Sequence, residues 1–335
     1  MNTTKAPKPA KGHNPPSLDP MLSAAWLYYE DQLTQSDIAE VLGVSRASVI
    51  NYLHEARRIG VVKITLDSAH FTAMRLARQL SNRFGLTRCL VIPDDQGRRP
   101  VAERLGEAGA QLLSEVVTAG DMLGVSWGQT VLALSHAIAP QRVPGLSVIQ
   151  ITGSMLATFE FSPELCTSNI ADRFGARCIN LHAPALVSRP EIRELLYKEP
   201  ALIPQLELLQ TCTKIVFGVG HLDQDSTIFG SGTVTPDDLQ PYVTQGAVGV
   251  IAGRYLNSAG QPVLGPLDDR MIGLTLPEMD RIPMRICLAG GAAKASAIRA
   301  TLDGGHATIL ITDELAAKAL VAGLDEANPL PDTPV

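Results

Sequence analysis

The sequence predicts an α/β protein in which a Rossmann-like, mostly parallel sheet builds a large carboxy-terminal domain, preceded by an all-α, winged helix-turn-helix domain. Three observations predict this. From about Arg88 onward, short apolar runs (RCLVI, MLGVS, LSVIQIT, ARCINL, KIVFGV, AVGVIAG, RICLAGG, TILIT) alternate with helical stretches, the pattern of βαβ units. Ahead of them stands the dense segment SDIAEVLGVSRASVINYLHEARRIG, whose spacing suits two short packed helices. The length, 335 residues, fits a small module joined to a large one.

In chain order, residues 1–18 carry Pro, Lys, Gly and Ser without hydrophobic period and are expected to be a disordered tail. Residues 19–67 form the helix-turn-helix domain. Its first helix shows the stripe Met21, Ala24, Ala25, Leu27, Tyr28, and the polar stretch EDQLTQ ends it. Within the motif, Ile38, Ala39 and Leu42 face inward, Gly43 supplies a turn at positive φ, and Val44, Val49 and Leu53 anchor the second helix. The run VVKITL (61–66) reads as a strand pair or wing. Residues 68–86, with Phe71, Met74, Ala77, Leu80 and Phe84 at helical spacing, read as an amphipathic connector. Residues 87–325 form the sheet domain.

Composition bounds the function. The 45% hydrophobic content supports a buried core, and 19% charged residues is too few for a disordered chain. There is no run of 18 apolar residues and the start is polar, so a cytoplasmic protein without a membrane partner is expected. Five scattered cysteines (Cys89, Cys166, Cys178, Cys212, Cys287) never show C-x-x-C spacing, which argues for reduced, mostly buried thiols and against a structural metal. No metal and no cofactor is expected.

The helix-turn-helix implies double-stranded DNA as a partner. Ser45 caps the second helix, and Arg46, Ala47, Ser48, Asn51, Tyr52 and Arg57 are placed to reach bases or phosphates, together with Gln35. Arg57 and Arg58 suit phosphate contacts. The net charge of −6 opposes DNA binding, so the basic residues Lys5, Lys8, Lys11, Arg46, Arg57, Arg58 and Lys63 must act as a local patch. That patch is thin, and several copies in a homo-oligomer would be needed to bind well.

In the sheet domain, ligands are expected where strands end. Gly124-Val125-Ser126-Trp127-Gly128-Gln129-Thr130 follows a strand and opens a helix, so free N–H groups, glycines and two hydroxyls form a phosphate cradle. Other strands end in Thr152-Gly153-Ser154, in Gly218-Val219-Gly220 and in Gly290-Gly291, the last followed by Lys294 on a first helical turn.

The segments GVSWGQT, APALVSRPEIRELLYKEP, FGVGHLDQDSTIFGSG, the stretch from GAVG to GQPV, and AGGAAKASAIRATLDGGHATILITDELAA, in that order, resemble the SorC family of sugar-responsive bacterial regulators from Leu22 to Val321. The resemblance implies a helix-turn-helix joined to an effector domain like those of the sugar-phosphate isomerases and deaminases. It also implies a tetramer on operators of sugar or polyol catabolic genes, commonly as a repressor, controlled by a phosphorylated sugar. By position it places Gly128, Gln129 and Thr130 at a phosphate, Gly153 and Ser154 along the sugar, Asn169 close by, and Lys294 as a charged contact. Two positions depart from the family pattern: Val250 follows GAVG where relatives carry an acidic residue, and Asn257 replaces a later aspartate. A carboxylate that would accept sugar hydroxyls is thus missing.

The competing reading is a sugar-phosphate isomerase fused to a DNA-binding module, with His221, Asp223, Asp225 and Asp313 as available acid/base groups. No acid/base pair is indicated by spacing, and Thr152-Gly153-Ser154 offers no lysine for Schiff-base capture. Regulation, not catalysis, is the expectation.

Overall fold

The computed structural model describes residues 17–64, 68–155, 161–222 and 234–325, in two compact units that divide at Ser68 and Ala69.

The amino-terminal unit is helical: α1 (Pro20–Tyr29), α2 (Gln35–Leu42) and α3 (Arg46–Arg58). Caps set each start. Asp19 accepts from the Met21 N–H, Thr34 and Asp37 form a reciprocal capping box, and the Ser45 hydroxyl accepts from the Ser48 N–H. Gly43 closes α2 at φ +65°, the left-handed conformation that the turn needs. Ala24, Leu27, Ile38, Val49 and Leu53 make the core, with Ala39, Leu42 and Val44 half-buried against it.

The expected wing is not found in residues 61–64, which carry no strand; residues 65–67 lie outside the described residues. The reason is local. Gly60 turns at φ +79° and the Val62 N–H donates to the Ala56 carbonyl, so this stretch closes α3 in place of starting a ladder.

In the larger unit, helix α4 (Ser68–Phe84) comes first, and it is no free connector. Leu76 and Leu80 are buried in the core of this unit, whereas Phe71 and Met74, expected on the apolar face, are exposed. Seven parallel strands follow: β1 (Arg88–Ile92), β2 (Met122–Val125), β3 (Ser147–Gln150), β4 (Arg177–Ile179), β5 (Lys214–Gly220), β8 (Met284–Leu288) and β9 (Ile309–Asp313). Their spatial order is β1-β9-β8-β5-β2-β3-β4. An antiparallel hairpin of β6 (Ala247–Ile251) and β7 (Arg254–Asn257) pairs with the end of β5 through Val219 and Gly220.

Both sheet faces are covered, as parallel strands require. One face is packed by α5 (Val101–Val116), α6 (Gln129–Ala137) and α7 (Pro163–Arg173) over Leu123, Val125, Val148, Val216 and Leu288. A Cβ on Gly106 of α5 would stand 2.6 Å from the Ala133 carbonyl carbon, so only glycine lets α5 and α6 approach so closely. The other face carries α4, α12 (Ala295–Asp303) and α13 (Glu314–Asp325) over Ile215, Phe217, Cys287 and Leu310. Short helices α8 (Pro190–Tyr197), α9 (Ile203–Leu209), α10 (Pro236–Thr244) and α11 (Leu276–Asp280) complete the unit. Burial pushes the thiols of Cys89, Cys166, Cys212 and Cys287 up to about 12, so four of the five are inert; Cys178 is exposed.

The chain leaves β2 toward β3 on one side and leaves β5 toward β8 on the other. Neighbouring strands whose connections diverge open a crevice at their carboxyl ends, and here that crevice lies between β2 and β5. At the amino-terminal ends of the same pair, a buried Lys214–Asp121 ion pair at 2.5 Å joins the two strands.

Candidate functional site

At the crevice sits a cavity of about 190 Å³. Ser126, Trp127, Gly128, Gln129 and Thr130 form one wall, Gly218 and Gly220 a second, and Lys294 a third. These eight expected residues come from three stretches far apart in sequence. Gly128 stands at the start of α6 with φ +129°, a backbone state that side chains resist, and no side chain caps the helix. The first-turn N–H groups of Gln129 and Thr130 therefore stay open to the cavity, and the helix end carries partial positive charge. Thr130 also donates to the Leu288 carbonyl at 3.2 Å, which ties α6 to the end of β8.

Lys294 supplies a full positive charge. It ends a short 3-10 turn, Ala292–Lys294, and stands as the residue before α12. No carboxylate among the described residues is within ion-pair distance of it, and burial lowers its pKa while the nearby Cys287 thiol pulls weakly the other way. A partly buried cation without a counter-charge is costly to the fold and ready for an anion.

Asp313 holds this wall in place. Its Oδ1 accepts from the Gly291 N–H at 2.7 Å and its Oδ2 from the Leu315 N–H at 3.2 Å. A Cβ on Gly290 would meet Asp313 Oδ1 at 2.5 Å, so the glycine pair lets the loop lie directly on the carboxylate.

Five expected residues are not brought to this cavity. Gly124 is buried mid-strand, where a Cβ would stand 2.6 Å from Ile151 and 2.7 Å from Ile215. Gly153 and Ser154 use their N–H groups on the Ile272 and Ala183 carbonyls, and the Ser154 hydroxyl donates to the Leu181 carbonyl. Asn169, on α7, donates to Ser135 of α6 at 3.2 Å. Thr152 lines a second, apolar pocket next door.

Residues missed from sequence complete the lining. Val101 and Ala102 open α5 beside the cavity, signalled by Pro100 at that helix start. Ala252 and Gly253 belong to the β6–β7 turn at φ +49° and +82°, while Gly290, just beyond β8, was among the strand tips expected from sequence. Val250, named from sequence as a departure from the acidic residue of the family pattern, lines the cavity, while Asn257 is not in its lining and caps a turn by accepting from the Ala259 and Gln261 N–H groups. No carboxylate or imidazole lines the cavity among the described residues. Of the possible acid/base groups, His221 is buried, Asp313 is bound to backbone, and Asp223 and Asp225 lie outside the described residues.

In the helical unit, Arg46, Ala47, Asn51, Arg57 and Arg58 are exposed on α3, and Gln35 accepts from Arg46 Nε at 3.4 Å. Ser45 and Ser48 are engaged with one another in the cap, Tyr52 packs on the core, and Arg58 pairs with Glu55 at 2.5 Å. Glu55 is held below the usual carboxylate range by its hydrogen bond from Arg58, so part of the charge expected for phosphate is already answered. Exposed Ile50 and His54 share the surface with Asn51 and Arg57 and were missed, although the 3.6-residue period would have found them.

Comparison with known proteins supplies context. The family profile described as "Putative sugar-binding domain" matches residues 69–322. The chain is 36% identical to a transcriptional regulator of Escherichia coli K12, YjhU, over 91% of this chain and 94% of that protein. It is 32% identical to the transcriptional regulator LsrR of Klebsiella pneumoniae, over 89% and 91%, and 28% identical to the erythritol catabolism regulatory protein EryD of Brucella abortus, over 90% and 95%. The full-length sorbitol operon regulator SorC of Klebsiella pneumoniae shares the fold, with a TM-score of 0.71 at 23% identity over 90% of this chain and 98% of that one. Among the described residues no helix is long and apolar enough to cross a membrane.

Proposed function

The chain belongs to the SorC family of DNA-binding transcriptional regulators with a sugar-binding domain, and we propose that its effector is a phosphorylated sugar or polyol held in the cavity between β2 and β5. The observation that carries this is Lys294, a cation with no ion-pair partner among the described residues, facing the uncapped start of α6 across the cavity. Helix N–H groups, glycines that allow close approach, and one lysine are the components of a phosphate site.

The regulated genes are those of a sugar or polyol catabolic operon, and the protein acts as a repressor. The names of EryD and of the sorbitol operon regulator, one polyol each, support a sugar or polyol operon as the target. The protein works in the cytoplasm as a homo-oligomer, a tetramer, without metal or cofactor and without turnover. That no carboxylate or imidazole of the described residues lines the cavity favours binding over proton transfer. Anion binding closes the three walls on one another and favours one arrangement of the oligomer, which repositions the α3 helices on the operator. A coupling of about 1–3 kcal/mol per site suffices.

The test has two stages. Selection of a random duplex pool with the purified chain yields an operator, and titration with phosphorylated and unphosphorylated sugars and polyols then follows the labelled operator by anisotropy. A phosphorylated compound that changes operator affinity at least fivefold, with its unphosphorylated parent inert, supports the proposal. Equal effects of phosphorylated and unphosphorylated forms overturn it.

A further inference from the structure

A smaller, largely apolar pocket adjoins the cavity. Trp127, Ala252 and Gly253 line both, and the other walls are chiefly Met155, Leu186, Leu267, Met271 and Ile272, with Thr152 and the Tyr255 ring. Its volume, about 30 Å³, holds roughly two water-sized groups. The Thr152 hydroxyl there is fully buried and makes no hydrogen bond among the described residues. Val250, in the lining of the main cavity, adds another apolar group.

We propose that this annex selects the end of the effector remote from its phosphate, and that this end is deoxygenated, with one polar group at most, paired to Thr152. A fully hydroxylated end would leave hydroxyls unpaired against methionine, leucine and isoleucine, and each would weaken binding roughly tenfold. An alkyl or deoxy end meets matching walls, and a single hydroxyl satisfies Thr152 Oγ1. The proposal rests on the anion reading of the main cavity, and it narrows the effector to phosphorylated compounds with an apolar terminus.

The full chain contains two tryptophans, so the Trp26→Phe variant leaves Trp127 as the sole indole reporter beside both pockets. Its fluorescence is titrated with inorganic phosphate, then with methyl, ethyl, propyl and 3-hydroxypropyl phosphate, and with glycerol 3-phosphate. The dissociation constant is expected to fall about fourfold per added methylene until the annex is full. Propyl phosphate binds at least tenfold tighter than glycerol 3-phosphate, and 3-hydroxypropyl phosphate comes within about threefold of propyl phosphate. In Thr152→Val, which keeps the shape, 3-hydroxypropyl phosphate becomes at least tenfold weaker than propyl phosphate. A flat alkyl series, or glycerol 3-phosphate binding tighter than propyl phosphate, while inorganic phosphate still binds, overturns the annex and leaves the anion site standing. If neither inorganic phosphate nor any alkyl phosphate binds, the anion reading falls and takes the annex with it.

Discussion

Replacing Lys294 by Met should produce two effects of opposite sign. Burial lowers the Lys294 pKa, so the charged amine costs the free protein stability, and a methionine of similar length should stabilise it. The gain should be on the order of 1 kcal/mol, which for a unit of this size is a rise of about 2–4 °C in Tm. The response to ligand should fall instead. A phosphorylated effector at 100 times its dissociation constant stabilises the parent by about 2.7 kcal/mol. Losing one charge-assisted hydrogen bond, roughly 1.5–3 kcal/mol, weakens binding about 10- to 150-fold. The same ligand concentration then yields only about 0.3–1.4 kcal/mol. Scanning calorimetry with and without effector reads both numbers on the same samples. The pH dependence checks the cause. A lysine whose folded pKa lies below its unfolded value binds more protons when unfolded, so stability rises with pH between the two. The parent should therefore gain on Lys294→Met as pH climbs into the alkaline range. A variant that is no more stable at neutral pH and responds fully to effector would refute the reasoning.

Three further outcomes follow from the geometry. Asp313→Ala frees the Gly291 and Leu315 N–H groups and should cost about 1–3 kcal/mol by chemical denaturation while blunting the effector response, whereas effector-induced melting shifts equal to the parent's would detach this loop from the site. Arg57→Ala should lower operator affinity uniformly and reduce the slope of log affinity against log salt by about 1, and Asn51→Ala should cost about 1–3 kcal/mol on the selected operator only, both read by anisotropy. His306 donates to Asp280 Oδ1 at 2.8 Å and to the Gly260 carbonyl at 2.7 Å, and its pKa is raised because these bonds outweigh the opposing effect of burial. Its contribution is fully present below pH 6.5 and is lost as pH rises through the folded value, so Asp280→Asn should cost about 1 kcal/mol near pH 5.5 and progressively less in alkaline buffer, as Tm profiles would show.

Much of this architecture was legible because it rests on local chemistry. Gly43 and Ser45 mark a turn and a cap in any context, and seven of the eight apolar runs became parallel strands because such a sheet is buried on both faces, while the eighth, AVGVIAG, is the first strand of the antiparallel hairpin. What escaped depends on contacts remote in sequence. Strand β7 is four residues, RYLN, defined only by pairing to β6. In VVKITL the strand-like alternation of its first four residues yields to a hydrogen bond that closes α3. On α4 the expected Leu80 is buried and Phe84 packs on the core, but Phe71 and Met74 are exposed, and Ala73 and Leu76 are buried in their place. At the cavity, strand tips were readable from glycine chemistry, but Thr152, Gly153 and Ser154 diverge because the chain bends to bond the 181–185 stretch and Ile272.

The β6–β7 hairpin touches the ladder only at Val219 and Gly220, yet it contributes Val250, Ala252 and Gly253 to the pocket walls. The hairpin is nonetheless built into the body of the unit, since Ile251, Ala252 and Leu256 are buried in the same core as Ile215 and Phe217. Reshaping the pocket from this side therefore means repacking residues that also hold the sheet, so single substitutions at Val250 suit the purpose better than replacement of the whole hairpin.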